Sequence, residues 1–330
     1  MAADAAPSRL PTADLAVLLP TIGRLRTSPA LANGILSRWL SRADHLPIDN
    51  TGSEALWRSV FTWPGRCLPT AALTRAFDAG DALNANWLRA DPAHVRADMS
   101  TARMLACGEV GLSIEETRAI ARDLKPLFGD AGLLFDAPRP NRWYLRALSA
   151  TDWPTAADPD DVLGDDLKLH LPAGAAGKRW RMLFNEAQMI LHQHAVNAAR
   201  AARGAVSVNS LWFWGGGSLP VAVASPYRAL LTEQPALTTL AHLAGIRVAP
   251  ATPSALAELA DRASTEPAAI IDLAHLRDVA LESEWLEPID RALRRGHVRD
   301  VVLAFASGER AHVRSRDRWR FWRPLRGLGS

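Results

Sequence analysis

Four polar side chains of types suited to anion recognition fall close together in the sequence: His192, His194, Asn197 and Arg200. With its flanks, the stretch from Lys178 to Pro220 predicts a long helix, a glycine stop at Gly204, and then a strand. That strand carries Asn209, Trp212 and Trp214 to Gly215-Gly216-Gly217. Polar groups at a helix end, beside an exposed backbone loop, are what binding of a small anion needs. His194, Asn197, Arg200, Gly215 and Gly216 are therefore candidate ligand contacts. Zinc is the weaker reading. Residues two apart on a helix point roughly 200° away from one another, and no CxxC pair accompanies the histidines.

The triple glycine follows a strand, as phosphate loops do, but has neither the lysine nor the Ser/Thr of a P-loop. It reads as a tight turn first and an anion cradle second. Trp212 and Trp214 alternate with Phe213, so both faces of the strand are aromatic and packing is their expected role. Asp272 and His275 stand just past another strand, where α/β enzymes place functional groups. A loop hydrogen bond is the plainer role for such a lone pair. Ionisable residues also gather at Arg89, Asp91, His94, Arg96, Asp98, Arg142 and Arg146. Arginine forks match carboxylate and phosphate oxygens, so Arg89 and Arg142 join the candidate ligand contacts, with surface ion pairs as the alternative. GxSxG, Walker A, GxGxxG and HExxH do not occur.

These groups need a scaffold. A chain of 330 residues exceeds one usual core, which predicts either two domains or one large domain with an inserted lobe. Hydrophobic residues make up 48% and charged residues 22%, ordinary values for a soluble protein. No apolar run reaches the roughly 18 residues of a transmembrane helix, and the N-terminus lacks the pattern of a signal peptide. Cys67 and Cys107 form no CxxC and fit a reducing cytoplasm. No membrane partner is expected. The net charge is +3, and the arginine excess gathers late, at Arg310, Arg314, Arg316, Arg318, Arg320, Arg323 and Arg326. A nucleic-acid footprint is one reading of that run. The favoured one is a solvated strand and tail whose Trp319, Phe321 and Trp322 pack on the body, with no nucleic acid bound.

Residues 1–13 read as a small-residue leader and Leu15 to Leu19 as a buried strand. A helix is expected from Ser28-Pro29 to about Ala43, a short one after Gly52-Ser53-Glu54, and another between Pro69 and Gly80. Residues 86–98 look extended. Ser113 with Glu116 forms a capping-box signature for a helix to about Phe128. Leu133 to Phe135 and Trp143 to Leu148 form a strand pair, and Thr151 to Gly164 a polar loop. Helices are expected from about Pro226, Pro235 and Pro253, strands at 246–248 and 268–273, an amphipathic helix at 282–295, and a hairpin of 301–306 with 310–313. Strands alternating with helices at both chain ends predict a mixed, largely parallel sheet.

Several blocks resemble a group of proteobacterial RpfE-type regulatory proteins described as phosphoglycerate mutase-like. They are Trp87-Leu88-Arg89-Ala90-Asp91-Pro92, Asn141-Arg142-Trp143-Tyr144-Leu145, Trp180-Arg181 with Asn185-Glu186 and Gln188-Met189, His194-Ala195-Val196-Asn197, Asn209 to Gly217, and Trp319-Arg320-Phe321-Trp322-Arg323. More distantly, His194 to Gly217 is similar to archaeal-type cofactor-independent phosphoglycerate mutases of the alkaline phosphatase superfamily. The resemblance implies an α/β fold: an alkaline-phosphatase-like three-layer core from residues 1–78 and 205–330, with an inserted α+β lobe at 79–204. It also implies two metal ions around a serine nucleophile. Pro20-Thr21 stands where the family's first strand ends in a metal-binding aspartate. Ser53 is near the nucleophile's place, Asp272 and His275 are near a ligand pair, and Ser307-Gly308-Glu309 replaces a later Asp-His pair. The expectation is a cytoplasmic, catalytically degenerate protein without metal or cofactor, sensing a small phosphorylated or carboxylate ligand or regulating a protein partner. The alternative is an active phosphomutase or phosphatase on a small phosphorylated acid such as phosphoglycerate.

Overall fold

The structure, a computed structural model, describes residues 9–27, 31, 34–48, 50–65, 67–98, 101–148, 152–262, 268–276 and 281–323. It divides into two compact units, one of residues 1–64 with 221–330 and the other of residues 65–220. The expected helix start at Ser28-Pro29, most of the leader, Thr151 and Arg326 lie outside the described residues.

The first unit opens with β1 (Leu15–Leu19), α1 (Ile35–Arg42), β2 (Asp44–Leu46) and α2 (Ser53–Arg58). The second holds α3 (Thr70–Ala79), β3 (Trp87–Ala97), β4 (Ala102–Cys107), α4 (Ile114–Asp130), β5 (Leu133–Arg139) and β6 (Arg142–Ala147). It continues with α5 (Gly174–His192), α6 (Ala195–Ala202) and β7 (Ser210–Gly217). The chain then returns to the first unit for β8 (Ala229–Leu231), α7 (Pro235–Leu243), β9 (Arg247–Ala249), α8 (Pro253–Arg262), β10 (Ala269–Asp272), α9 (Glu287–Arg295), β11 (Asp300–Phe305) and β12 (Arg310–Arg314).

The first unit is built on a seven-stranded sheet in the order β2-β12-β11-β1-β10-β8-β9. The five strands from β11 to β9 are parallel, and β12 and β2 extend the sheet antiparallel. Leu15, Val17 and Leu19 of the central β1 pack with Trp39 of α1 and Ile289 and Leu293 of α9. Ala16 and Leu18, with Ile270 and Val302 beside them, point to the other face and are equally buried. A parallel sheet dry on both faces lies between two layers, so the expected three-layer α/β core is present. One local expectation gives way: Pro226 leads into β8 rather than a helix. Arg228 donates its N–H to Ala268 O (2.8 Å), feeding the chain into the sheet beside β10. Only three residues pair there, too few for a periodicity to reveal.

The second unit is a five-stranded antiparallel sheet, β4-β3-β6-β5, with β7 along the other edge of β3. On one face Ile120, Leu124 and Phe128 of α4 and Trp180 and Leu183 of α5 pack with Trp143 and Phe213. On the other, Ala71 and Ala72 of α3 cover Trp87 and Tyr144. These contacts move the unit boundaries outward from the expected 79 and 204. Because α3 packs on β3 and β7 pairs with β3 from Trp87↔Gly217 to Ala93↔Ser210, both belong to the inserted unit.

Candidate functional site

The site with chemical potential in the first unit is the carboxyl-terminal edge of its parallel strands, where open α/β sheets present functional groups. Asp272 ends β10 and is buried. Its Oδ2 accepts from the Thr232 hydroxyl (2.8 Å), and its Oδ1 from the Ala274 N–H (3.3 Å). Burial pushes the Asp272 carboxyl above its ordinary range, against the opposing pull of His275 and the Thr232 hydroxyl. Beyond β11, Ser307 Oγ accepts from the Ile22 N–H (2.9 Å) and donates to Glu309. Gly52 has φ +95°, a conformation L side chains rarely adopt. It donates its N–H to Ala306 O (2.8 Å), which sets Ser53 as the first residue of α2 at this same edge. Ser53, Asp272 and His275 therefore share one sheet edge. Since β1 separates β10 from β11, the two strand ends stand about 10 Å apart.

A two-metal centre would need several carboxylates and imidazoles converging there. The edge offers Asp272, already hydrogen-bonded twice, Glu309, bonded to Ser307, and His275. Among the described residues no three His, Cys, Asp or Glu side chains gather closely enough to hold an ion. This donor set does not fit a pair of divalent cations.

All seven residues singled out as ligand contacts lie in the 65–220 unit. Arg89 and Asp91 share one face of β3 and are both buried. Asp91 Oδ1 accepts from Arg89 Nε (2.9 Å) and Nη2 (2.7 Å) and from the Trp143 N–H (3.2 Å), while Oδ2 accepts from Trp214 Nε1 (2.7 Å). Burial drives the Asp91 carboxyl upward in pKa, and the Arg89 charge opposes it. Thr74, Arg75 and Asp78 present one face of α3 to the sheet. Thr74 accepts from Arg89 (3.2 Å), Asp78 takes a two-pronged contact from Arg142 (2.7 and 2.6 Å) and the Tyr144 hydroxyl (2.6 Å), and Arg75 pairs with Asp81 and Asp136. Burial alone would raise the Asp78 carboxyl; Arg142 and Tyr144 outweigh it and hold it below its usual range. Arg89 and Arg142 thus tie α3 to the sheet. Sequence reading missed Asp78 and Thr74, although their i,i+4 spacing on a helix was a usable signal.

His194, Asn197 and Arg200 are also committed to structure. The predicted single helix is two, because His194 leaves the helical conformation (ψ 133°) and caps α6, its Nδ1 accepting from the Val196 N–H (3.1 Å). Its Nε2 lies 3.2 Å from Asp123. Asn197 splices the break to the approach of β7, donating to Leu191 O and Val208 O (both 2.7 Å) and accepting from the Val208 N–H (2.8 Å). Arg200, 1% exposed, donates to Val206 O (2.7 Å), Gly111 O (3.0 Å), Val110 O and Glu116 (2.9 Å). The glycines admit close neighbours. A Cβ on Gly215 would meet Thr70 Cβ at 2.9 Å, and one on Gly216 would meet Trp153 Cβ at 2.6 Å. Gly215 and Gly216 are places where α3 and Trp153 press on β7.

The chain matches no family model. It is 30% identical over 136 residues to a 2,3-bisphosphoglycerate-independent phosphoglycerate mutase of Methanosarcina barkeri, which covers 40% of this chain and 33% of that protein. It is 36% identical over 66 residues to a probable enzyme of the same description from Geobacter sulfurreducens, covering 20% of this chain and 16% of the relative. The chain thus spans a third or less of the length of these relatives. Among solved structures, a cofactor-independent phosphoglycerate mutase from Thermoplasma acidophilum aligns with 91% of this chain and 88% of its own, at 17% identity and a TM-score of 0.38. A Pyrococcus horikoshii protein aligns with 92% of this chain and 88% of its own, at 14% identity and a TM-score of 0.40. The chain is distantly similar to cofactor-independent phosphoglycerate mutases.

Proposed function

We propose that this protein is a cytoplasmic, phosphoglycerate mutase-like regulatory or ligand-sensing protein, of the RpfE type, that does not carry out two-metal phosphoryl transfer. The observation that carries the reading is the donor set at the sheet edge: Asp272 is held by Thr232 and Ala274, with His275 near it, and Glu309 by Ser307. Two divalent ions demand several deprotonated ligands converging on them, and among the described residues no three His, Cys, Asp or Glu side chains do so. Its ligand is a small phosphorylated or carboxylate molecule, or a protein partner. Calorimetric titration of the purified protein with Mn²⁺ or Zn²⁺ is expected to show no pair of tight sites. Two stoichiometric, submicromolar sites would overturn the proposal.

A second reading has its own support in the placement of Ser53 at the same edge as Asp272, fixed by Gly52. Under it the protein is a phosphomutase or phosphatase with Ser53 as nucleophile. It predicts metal-dependent turnover of phosphoglycerate that Ser53→Ala reduces by about a thousandfold or more, the scale of removing a nucleophile. Turnover that survives Ser53→Ala dismisses this reading.

A further inference from the structure

The last described segment, Ser315 to Arg323, carries an inverted arrangement of arginines and aromatics. Arg318, Arg320 and Arg323 reach back to the body of the first unit, whereas Arg316 is exposed. Arg318 donates to Arg294 O (3.3 Å), Arg320 to Arg42 O (2.9 Å) and Asp44, and Arg323 to Arg42 O (3.2 Å) and Ala43 O (2.8 Å). Arg42 in turn donates to Arg318 O (3.0 Å). The carboxyl end of α1 lies there, so guanidiniums on its last carbonyls also answer the helix dipole. Hydrogen bonding from Arg320, with Arg314 adding to it, outweighs burial and holds the Asp44 carboxyl at about 2. With Arg318, Arg320 and Arg323 turned inward, the aromatic side chains between them turn out: Trp319 is 63% exposed, Phe321 76% and Trp322 68%. The expectation that these rings pack on the body is reversed.

Single exposed apolar residues need no explanation, but three large rings within four residues do. We propose that this face is a peripheral docking surface for an anionic phospholipid membrane: Trp319, Phe321 and Trp322 enter the headgroup layer while the exposed Arg316 meets lipid phosphate. Aromatic rings flanked by guanidiniums are suited to that boundary, where one end of the group is apolar and the other wet. Six arginines between 310 and 323 outnumber Asp317 and Asp44, the two carboxylates paired with Arg314, Arg320 and Arg323, so the region keeps a net positive charge complementary to a negative surface.

Magnitudes separate this occupant from others. The exposed parts of the three rings amount to about 400 Å², half of the roughly 800 Å² that each side of a stable protein interface buries. A reversible membrane anchor needs no more. Base stacking requires free ring faces, yet Arg318 lies 5.1 Å from the Trp319 ring centre and Phe321 meets Trp322 edge to face at 5.6 Å. A second copy docked through the same patch would set like charges against each other.

The test is co-sedimentation of the full chain with vesicles of phosphatidylcholine alone or mixed with phosphatidylglycerol. Binding to the mixed vesicles is expected, weakening as salt is added. The variant Trp319→Ala/Phe321→Ala/Trp322→Ala should partition at least about tenfold less with an unchanged circular dichroism spectrum, and Arg316→Gln about fivefold less. The proposal falls if the protein stays in solution, if neutral and anionic vesicles bind alike, or if the triple variant binds as well as the parent. Aromatic-dependent binding of an oligothymidylate, with vesicles ignored, would instead assign the face to single-stranded nucleic acid.

Discussion

Asp91→Ala is expected to destabilise the 65–220 unit by about 3–5 kcal/mol, the range for breaking one side of a buried ion pair. Asp91, 2% exposed, answers four N–H donors from three elements: two from Arg89 on β3, one from the Trp143 backbone on β6, and one from the Trp214 indole on β7. Removing the carboxylate leaves the Arg89 guanidinium buried, with Thr74 as its remaining hydrogen-bond partner and the Tyr144 and Trp214 rings nearby at 5.4 and 5.3 Å. Cation–π attraction of about 0.5–2 kcal/mol does not replace an ion pair out of water. Urea unfolding followed by far-ultraviolet circular dichroism reads the loss as a lower midpoint. A double variant, Arg89→Met/Asp91→Leu, should cost less than Asp91→Ala alone, because no charge is stranded. If the double variant is the worse of the two, Arg89 has stabilising partners beyond Asp91. If Asp91→Ala is nearly silent, water reaches Arg89 and the pair is not the clasp described.

Several local signals in the sequence held, although the helices expected from Pro226 and through His194 did not. The five apolar residues of β1 form the central strand, and Ser113 with Glu116 makes a capping box. The hairpin of β11 and β12 pairs as expected. Non-local facts were not legible. Aromatics on both faces of β7 say that the strand is covered, but not that β3 pairs with it, so its place in the inserted unit had no local signature. Arginine content likewise marks cations without naming their carboxylates. Arg89, Arg142 and Arg200 look like ligand contacts until Asp91, Asp78 and Glu116 are seen beside them. The same limit applied to Trp319, Phe321 and Trp322, whose direction depends on where Arg320 and Arg323 find acceptors on α1. At the sheet edge only the family resemblance related Ser53 to Asp272 and His275, because the order of strands in a sheet has no local signature in the sequence. The Thr232 partner of Asp272 was hidden because β8 is only three residues long.

Arg200→Ala is expected to cost about as much as losing Asp91, through unmet acceptors rather than a stranded charge. The side chain spans α6, the loop before α4 and the approach to β7, and four hydrogen bonds from its guanidinium reach three main-chain carbonyls and Glu116. Of these carbonyls only that of Val110 is in a buried bond, while those of Val206 and Gly111 are part-buried; a buried carbonyl left without a donor costs about 1–3 kcal/mol and the part-buried ones less, so a loss of about 2–4 kcal/mol follows. Lysine should recover less than half, since one ammonium cannot reproduce a planar fork. Arg203→Ala is the internal control. It also pairs with Glu116 but is half exposed, and it should cost under about 1 kcal/mol. Glu116 adds a pH signature. Burial favours its neutral form, but the Ser113 N–H and the Arg203 and Arg200 charges outweigh that and hold its carboxyl below the ordinary 4.5. The stability it contributes is therefore fully present above that value and is lost as pH falls through its depressed native pKa. The gap between parent and Arg200→Ala should narrow on acidification across that window. A gap that stays constant would place the stabilisation in the three carbonyls alone, and a variant as stable as the parent would free Arg200 to serve as the ligand contact its sequence position suggested.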